Sequence, residues 1–236
     1  MSNLKVYAKT IEDEALEQIN TLLSQDAFKD CKVRIMPDVH AGKGCVIGFT
    51  ADLGNKVIPN IVGVDIGCGM LCVSIGHGEI DFDRLDKVIR TYVPSGRNVH
   101  DGRRIRFDEL QDLYCYRELR DTKRIERSIG TLGGGNHFIE VDVAEDGYKY
   151  LVIHTGSRNL GKQVADYYQN LAYELMCGKD DLYERQNKLI EEYKAVGRKS
   201  EIEGAIKELH KNFRATTPKL PKDLCYLEGK YREQYL

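Results

Sequence analysis

The sequence predicts an α+β fold, on three observations. The first two-thirds of the chain consists of short apolar runs broken by glycine-rich loops. The last third repeats its apolar residues at helical spacing. Strand and helix patterns do not alternate regularly as in a βαβ array, so helices and sheet are expected to segregate.

Residues 11–25 form the first helix. Ala15, Leu16, Ile19, Leu22 and Leu23 recur at helical spacing, and acidic residues lie near its start, where the helix dipole favours them. Residues 31–36 are a short strand with Val33 and Ile35 alternating, and residues 37–54 then turn glycine-rich and poor in charge. Residues 57–75 are mostly apolar and dense in glycine, which predicts buried strand segments joined by tight turns. Residues 81–92 are a helix with Phe82, Leu85, Val88 and Ile89 on one face; 93–106 are a polar loop, and 107–129 a charged stretch, helical in part. A glycine cluster at 131–135 leads into a strand at 138–143, and Gly147 turns the chain into another at 150–153. Residues 161–177, 182–196 and 201–213 are helices, the last weakened by Gly204. Residues 219–236 enter a further element. Its Leu220, Leu224, Tyr226, Leu227, Tyr231 and Tyr235 are expected to be poorly packed or to serve self-association. No repeat or low-complexity linker interrupts the chain, and residues 1–236 read as one domain.

Composition narrows the class. A chain of 236 residues with 42% hydrophobic and 31% charged residues is globular rather than disordered or collagenous. Lys and Arg number 35 against 37 Asp and Glu, a net charge of -2, which excludes a uniformly basic nucleic-acid coat but leaves room for local basic patches. Two such stretches exist, Arg97 to Arg106 and Arg117 to Arg127, both interleaved with acids, as in a solvated helix face. The seven cysteines are odd in number and scattered, indicating neither a disulfide scaffold nor a zinc ribbon. The opening MSNLKVYAKTIEDEALEQ has no apolar core of a signal peptide, and no run of about 18 apolar residues exists. A reduced, cytoplasmic protein without membrane contact is expected.

Three islands carry chemistry. They are Pro37-Asp38-Val39-His40-Ala41-Gly42-Lys43-Gly44, Gly63-Val64-Asp65-Ile66-Gly67-Cys68-Gly69-Met70, and Gly133-Gly134-Gly135-Asn136-His137-Phe138-Ile139-Glu140 with the following Ile153-His154-Thr155-Gly156-Ser157-Arg158. In each, charged or metal-capable side chains stand among glycines, which let backbone approach a ligand and expose N–H donors to anions. Asp65 and Cys68 would face apart on a strand but converge on a turn through Gly67 and Gly69. With His137 and His154 they make a donor set for a borderline divalent cation such as Zn²⁺ or Mn²⁺. Residue chemistry alone leaves a second reading open, with Cys68 a small buried thiol, Asp65 a turn former and the histidines satisfied in the fold. The triple glycine before Asn136 lacks the Gly-Lys-Ser/Thr of a Walker A loop but suits phosphate, as does the planar fork of Arg158. The other six cysteines, with His77, His100 and His210, have no such neighbours; the thiols read as structural.

The segments MPDVHAGKGCVIGFTA, IVGVDIGCGM, GTLGGGNHFIEV and VIHTGSRNLG, in this order, resemble the RtcB family of RNA-splicing and repair ligases. The resemblance runs from about Val33 to the C-terminus and includes LPKDLCYLEGKYREQYL. It implies an RtcB-like mixed β-sheet core with glycine-rich active-site loops and a helical C-terminal third. It also implies an enzyme that joins RNA 2′,3′-cyclic phosphate or 3′-phosphate ends to 5′-hydroxyl ends with GTP and Mn²⁺, in tRNA splicing or RNA repair. In that reaction a histidine is guanylylated, GMP passes to the RNA 3′-phosphate, and the 5′-hydroxyl displaces it. Carried over by motif, Asp65, Cys68 and His137 match metal ligands, Cys68 being shared between two Mn²⁺ ions, and His154 matches a ligand of the second. Asn136, His137, Phe138, Ile139 and Glu140 match the stretch contacting GTP, Arg158 the holder of the RNA 3′-phosphate, and Asp38 and His40 a turn near the site. Family members are longer. The part following Leu236 carries another metal-binding histidine, most of the guanine pocket and the guanylylated histidine, which none of the six histidines here matches. The resemblance therefore implies a partial catalytic domain that binds RNA (tRNA halves or broken RNA) and GTP but does not ligate alone. A stand-alone metal- and nucleotide-binding module, or a fold remnant with an interaction role, are the competing readings.

Overall fold

A computed structural model describes residues 3–42, 44–157 and 159–236. The chain divides into two compact units, residues 1–62 with 168–236, and residues 63–167.

The first unit is built on a three-stranded mixed sheet. Strand β1 (Asn3–Val6) runs parallel to β2 (Lys32–His40), and β2 pairs antiparallel with β3 (Ile47–Asp52). Val33 and Ile35 alternate inward and are fully buried. Helix α1 (Asp13–Leu23) lays Ala15, Ile19 and Leu22 into the same core, with Asp13 and Glu14 at its positive end. Phe28 meets Phe49 edge to face at 5.6 Å. Strand β2 continues beyond the expected residues 31–36, and its register with β3 shifts between Ile35 and His40. Pro37 lies in that interval and has no N–H to give the ladder.

The rest of this unit comes from the helical end of the chain. Helix α5 (Asn159–Glu174) crosses the division between the units; the helical path then breaks at Gly178 (φ 86°) before α6 (Asp180–Ala195), which packs against α7 (Ile202–Asn212). The C-terminal segment departs from the loose packing expected of it. Leu224, Cys225 and Leu227 are fully buried. Strand β8 (Leu227–Glu228) pairs antiparallel with β4 (Lys56–Val57), and α8 (Gly229–Tyr235) follows. The Gln169 amide donates to the carbonyls of Lys222 (2.7 Å) and Cys225 (3.1 Å) and accepts from the Asn60 N–H (2.8 Å). Tyr168 donates its hydroxyl proton to the Gln234 carbonyl at 3.0 Å. The partners of these apolar residues come from β4 and α5, far away in sequence, and local spacing does not announce them. Burial here pushes the Cys45 and Cys225 thiols up to about 11 and the Tyr235 hydroxyl up to about 12. The short helix α2 (Pro59–Val62) ends the N-terminal part of this unit.

The second unit holds an antiparallel sheet of order β5-β7-β6, with β5 at Gly69–Gly76, β6 at Phe138–Val143 and β7 at Lys149–Thr155. Helix α3 (Phe82–Tyr92) starts at Asp81, whose carboxylate accepts the Arg84 N–H at 2.9 Å. Helix α4 (Thr122–Arg127) is capped the same way by Asp121, at a left-handed φ of 49°. The expected burial of residues 57–75 fails at β5. All but its last residue are exposed, Leu71 at 57% and Val73 at 42%. An apolar run specifies a strand with something to lie against, and the described residues leave this one uncovered. Helix α3 likewise has no fully buried residue. The α+β expectation holds, with a helical last third as predicted. Among the described residues no helix is long and apolar enough to cross a membrane.

Candidate metal centre and anion pocket

The second unit brings two of the sequence islands together. The turn after Gly63 is closed by the Cys68 N–H donating to the Asp65 carbonyl at 3.2 Å, with Gly67 at a left-handed φ of 78°. This turn seats on the segment after β7. The Ser157 hydroxyl donates to the Ile66 carbonyl and accepts the Gly161 N–H at 3.1 Å, tying the turn to the start of α5. The approach is too close for side chains. A Cβ on Gly156 would stand 3.0 Å from both Asp65 Oδ1 and the Cys68 Cα, and one on Gly161 would stand 2.9 Å from the Ile66 nitrogen and the Val64 oxygen.

On that platform Cys68 Sγ lies 2.8 Å from His154 Nε2 and 3.7 Å from His137 Nε2. The ligand-capable atoms of Cys68, His137 and His154 all fall within 4.8 Å of one another. Asp65 Oδ2 lies 3.3 Å from His137 Nε2. The His137 side chain is buried, whereas Cys68 is exposed and open to a ligand. His154 stands on β7 beside Phe138, ring centroids 5.3 Å apart.

The tautomer of His137 follows from its partner. Its Nδ1 is 2.8 Å from the Leu132 carbonyl, which can only accept, so Nδ1 carries the hydrogen. In the neutral ring the Nε2 lone pair then faces a carboxylate and a sulfur. The Cys68 S–H can donate to an imidazole nitrogen here, and a metal ion can take the place of that thiol proton. Thiolate and imidazole donors, with one imidazole oriented by a backbone carbonyl behind it, fit a divalent transition metal. Thr155 donates its hydroxyl to the same Leu132 carbonyl at 3.1 Å, fixing that oxygen from the other side.

Beside the centre opens a cavity of about 400 Å³, lined by the glycine run 133–135 and by Arg97, Asn98, Arg124, Ser128, Ser157 and Asn159. The glycine run is held by the loop before it: the Gly96 N–H donates to the Gly133 carbonyl at 2.7 Å, and the Leu132 N–H to the Pro94 carbonyl at 2.9 Å. Arg124 donates to the Arg97 carbonyl. Bare amides, two guanidinium groups and small polar side chains make this an anion pocket. Arg97 and Arg124 therefore belong to a built cavity as well as to the charged stretches the sequence displays. Asn98 carried no sequence signal, because it enters through a loop read as merely polar; Ser128 ends α4, and Asn159 opens α5 within the segment VIHTGSRNLG.

The other expected residues distribute as follows. Asn136 is exposed just before β6. Along β6, Phe138 and Glu140 share the face of His154, whereas Ile139 points to the opposite face, as strand alternation requires. Asp38 and His40 lie on β2 in the first unit, exposed, with His40 Nδ1 2.7 Å from the Asp38 carbonyl. The loop after them is pinned to α1 and its N-cap: Gln18 exchanges two hydrogen bonds with Gly42, and Glu12 accepts the Ala41 N–H at 2.6 Å. Lys43 and Arg158 lie outside the described residues.

A centre of this class, metal donors beside an anion pocket on glycine-cleared turns, is suited to holding a cation against phosphate. The profile of the family described as tRNA-splicing ligase RtcB matches residues 23–117 and 115–198. The chain is 32% identical over 197 residues to the RNA-splicing ligase RtcB of Escherichia coli strain K12, covering 73% of this chain and 48% of that protein. It is 32% identical over 224 residues to the tRNA-splicing ligase RtcB of Aeropyrum pernix, covering 69% and 46%. With the protein of the same description from Nanoarchaeum equitans it shares 29% over 223 residues, covering 71% and 46%. This chain belongs to the RtcB family. It spans about half the length of the curated relatives it matches.

Proposed function

We propose that this chain contributes the metal-holding and phosphate-facing part of an RNA ligase that joins 2′,3′-cyclic phosphate or 3′-phosphate ends to 5′-hydroxyl ends, using GTP and Mn²⁺. The observation that carries the reading is the convergence of Cys68, His137 and His154 within 4.8 Å, next to a glycine-floored anion pocket, in a chain of this family.

Cys68, His137 and His154 would hold Mn²⁺, with Asp65 beside His137; Cys68, the exposed member, is the thiolate that the resemblance assigns to both ions. A metal held there would supply charge neutralisation for phosphate oxygens. The Leu132 carbonyl keeps His137 in the tautomer whose Nε2 can ligate. Asn136, His137, Phe138, Ile139 and Glu140 form the stretch assigned to GTP, with Phe138 and Glu140 on the face of the metal centre. The amides of residues 133–135, with Arg97 and Arg124, receive phosphate oxygens. The resemblance assigns Arg158 to the RNA 3′-phosphate and makes Asp38 and His40, on the first unit, further candidate catalytic residues. With a net charge of -2, attraction to RNA, whether tRNA halves or broken RNA, comes from these local groups and the metal. Seven free thiols suit the reducing cytoplasm, where we place the protein.

The test is end recognition. In Mn²⁺, an RNA oligonucleotide ending in a 3′-phosphate binds this chain more tightly than the same RNA ending in a 3′-hydroxyl, read by fluorescence anisotropy, and Cys68→Ala erases the preference. Equal affinity for both ends, or a preference untouched by Cys68→Ala, contradicts the reading. Binding of Mn²⁺ and GTP without any end preference would instead describe a nucleotide-binding module.

A further inference from the structure

Within the second unit, helix α5 clasps the chain just before α4 through one side chain. The Gln163 oxygen accepts the Arg120 N–H at 2.6 Å, and the Gln163 amide nitrogen donates to the Arg120 carbonyl at 3.1 Å. An N–H needs an acceptor and a carbonyl needs a donor, so the Gln163 amide lies only one way round. Its second N–H reaches Asn159 Oδ1 at 3.3 Å. That orients the Asn159 amide in turn. Its oxygen is committed to Gln163, and its other end is the Nδ2 donor. Asn159 lines the cavity it shares with Arg97, Arg124 and the glycine run 133–135.

We propose that Asn159 is an oxyanion-binding residue of this cavity, donating its Nδ2–H to a phosphoryl oxygen, and that Gln163 is the positioning residue that keeps the donor end turned inward. The inference rests on the proposed reading of the cavity as an anion pocket, and adds a neutral donor of fixed direction to its two guanidinium groups. A freely turning amide presents its oxygen to the cavity as readily as its nitrogen, and an oxygen facing in repels phosphate. Charge attracts any anion, whereas an aimed N–H favours an oxygen that meets it in line. Asn159 is exposed at the opening of α5, so its side chain is not used in packing. Gln163 has a second effect to be separated from the first. By holding Arg120 it also steadies Asp121, which stands at a left-handed φ of 49° and caps α4, the helix that bears Arg124.

The probe is inorganic phosphate, titrated without divalent metal into isotope-labelled chain and followed by nuclear magnetic resonance. The backbone amides of residues 133–135 and the Asn159 side-chain amide are expected to shift together, with one dissociation constant. Asn159→Ala weakens that binding about tenfold, as for a hydrogen bond to a charged group, and leaves circular dichroism unchanged. Two backgrounds test Gln163. Gln163→Met removes all three hydrogen bonds, and Gln163→Glu keeps the acceptor for the Arg120 N–H while losing both donations. In either background Asn159→Ala is expected to weaken phosphate binding no further, because the donor is no longer aimed. Any loss that comes through Arg124, or from the added charge of Gln163→Glu, is common to both members of each comparison and cancels. If residues 133–135 respond to phosphate while the Asn159 amide does not, or if the Asn159 and Gln163 effects add in full, the proposal is overturned and the anion pocket stands. If neither responds, the anion pocket itself is refuted and the proposal falls with it.

Discussion

His137 is oriented by the backbone alone. Its Nδ1–H is committed to the Leu132 carbonyl, and its Nε2 is directed at Asp65 and Cys68. The four candidate ligands were legible in the sequence because glycine-flanked Asp, Cys and His at strand ends are an uncommon combination. The Leu132 carbonyl, the Ser157 hydroxyl and the clearance at Gly161 were not legible as parts of the centre, since they act through backbone contacts whose partners lie elsewhere in the chain. Gly156 gives a test at this scale. Its φ lies outside the left-handed region, so alanine there changes space alone, yet the new Cβ meets Asp65 Oδ1 and the Cys68 Cα at 3.0 Å. Gly156→Ala is expected to lower Mn²⁺ affinity by about tenfold or more while circular dichroism is retained. Undiminished affinity would show that the turn does not hold the ligands in place.

At the scale of elements, strand β6 falls on the residues that alternation marked, 138–143, because its pattern is local. The burial of β5 was misread. Its apolar, glycine-dense sequence encodes a strand to be covered, but the covering partner is not among the described residues. The C-terminal segment was misread in the opposite sense, for its apolar residues find β4 and α5 across more than fifty residues of chain. Leu227→Ala is therefore expected to cost about 2–5 kcal/mol in denaturant unfolding, as for a fully buried leucine; a cost near zero would restore the loosely packed tail. The buried thiols add a pH dependence. Cys45 and Cys225 are held neutral in the fold, their values raised to about 11 from an ordinary 9.0. Raised folded values mean that this stability is complete below the unfolded value and is lost as pH climbs through the folded one. The melting temperature should fall between about pH 9 and about pH 11, and less steeply in Cys45→Ala. An identical slope in that variant would remove Cys45 from the account.

The whole molecule pairs a near-neutral chain with a concentrated centre. With a net charge of -2, the proposed recognition of phosphate would rest on the candidate metal ligands, the amides of residues 133–135 and the local arginines. Family membership was readable from four motifs in order, but their side-chain convergence was not, because Cys68 and His154 are 86 residues apart and meet only through the β5–β7 pairing. The most direct measurement is calorimetric titration of Mn²⁺ into this chain, its Cys68→Ala variant and its His154→Ala variant. The wild-type chain is expected to bind Mn²⁺, and each variant to bind at least about tenfold more weakly with its metal-free melting temperature unchanged. No binding by the wild type, or equal binding by all three, would contradict the assignment of Cys68, His137 and His154 as a metal centre.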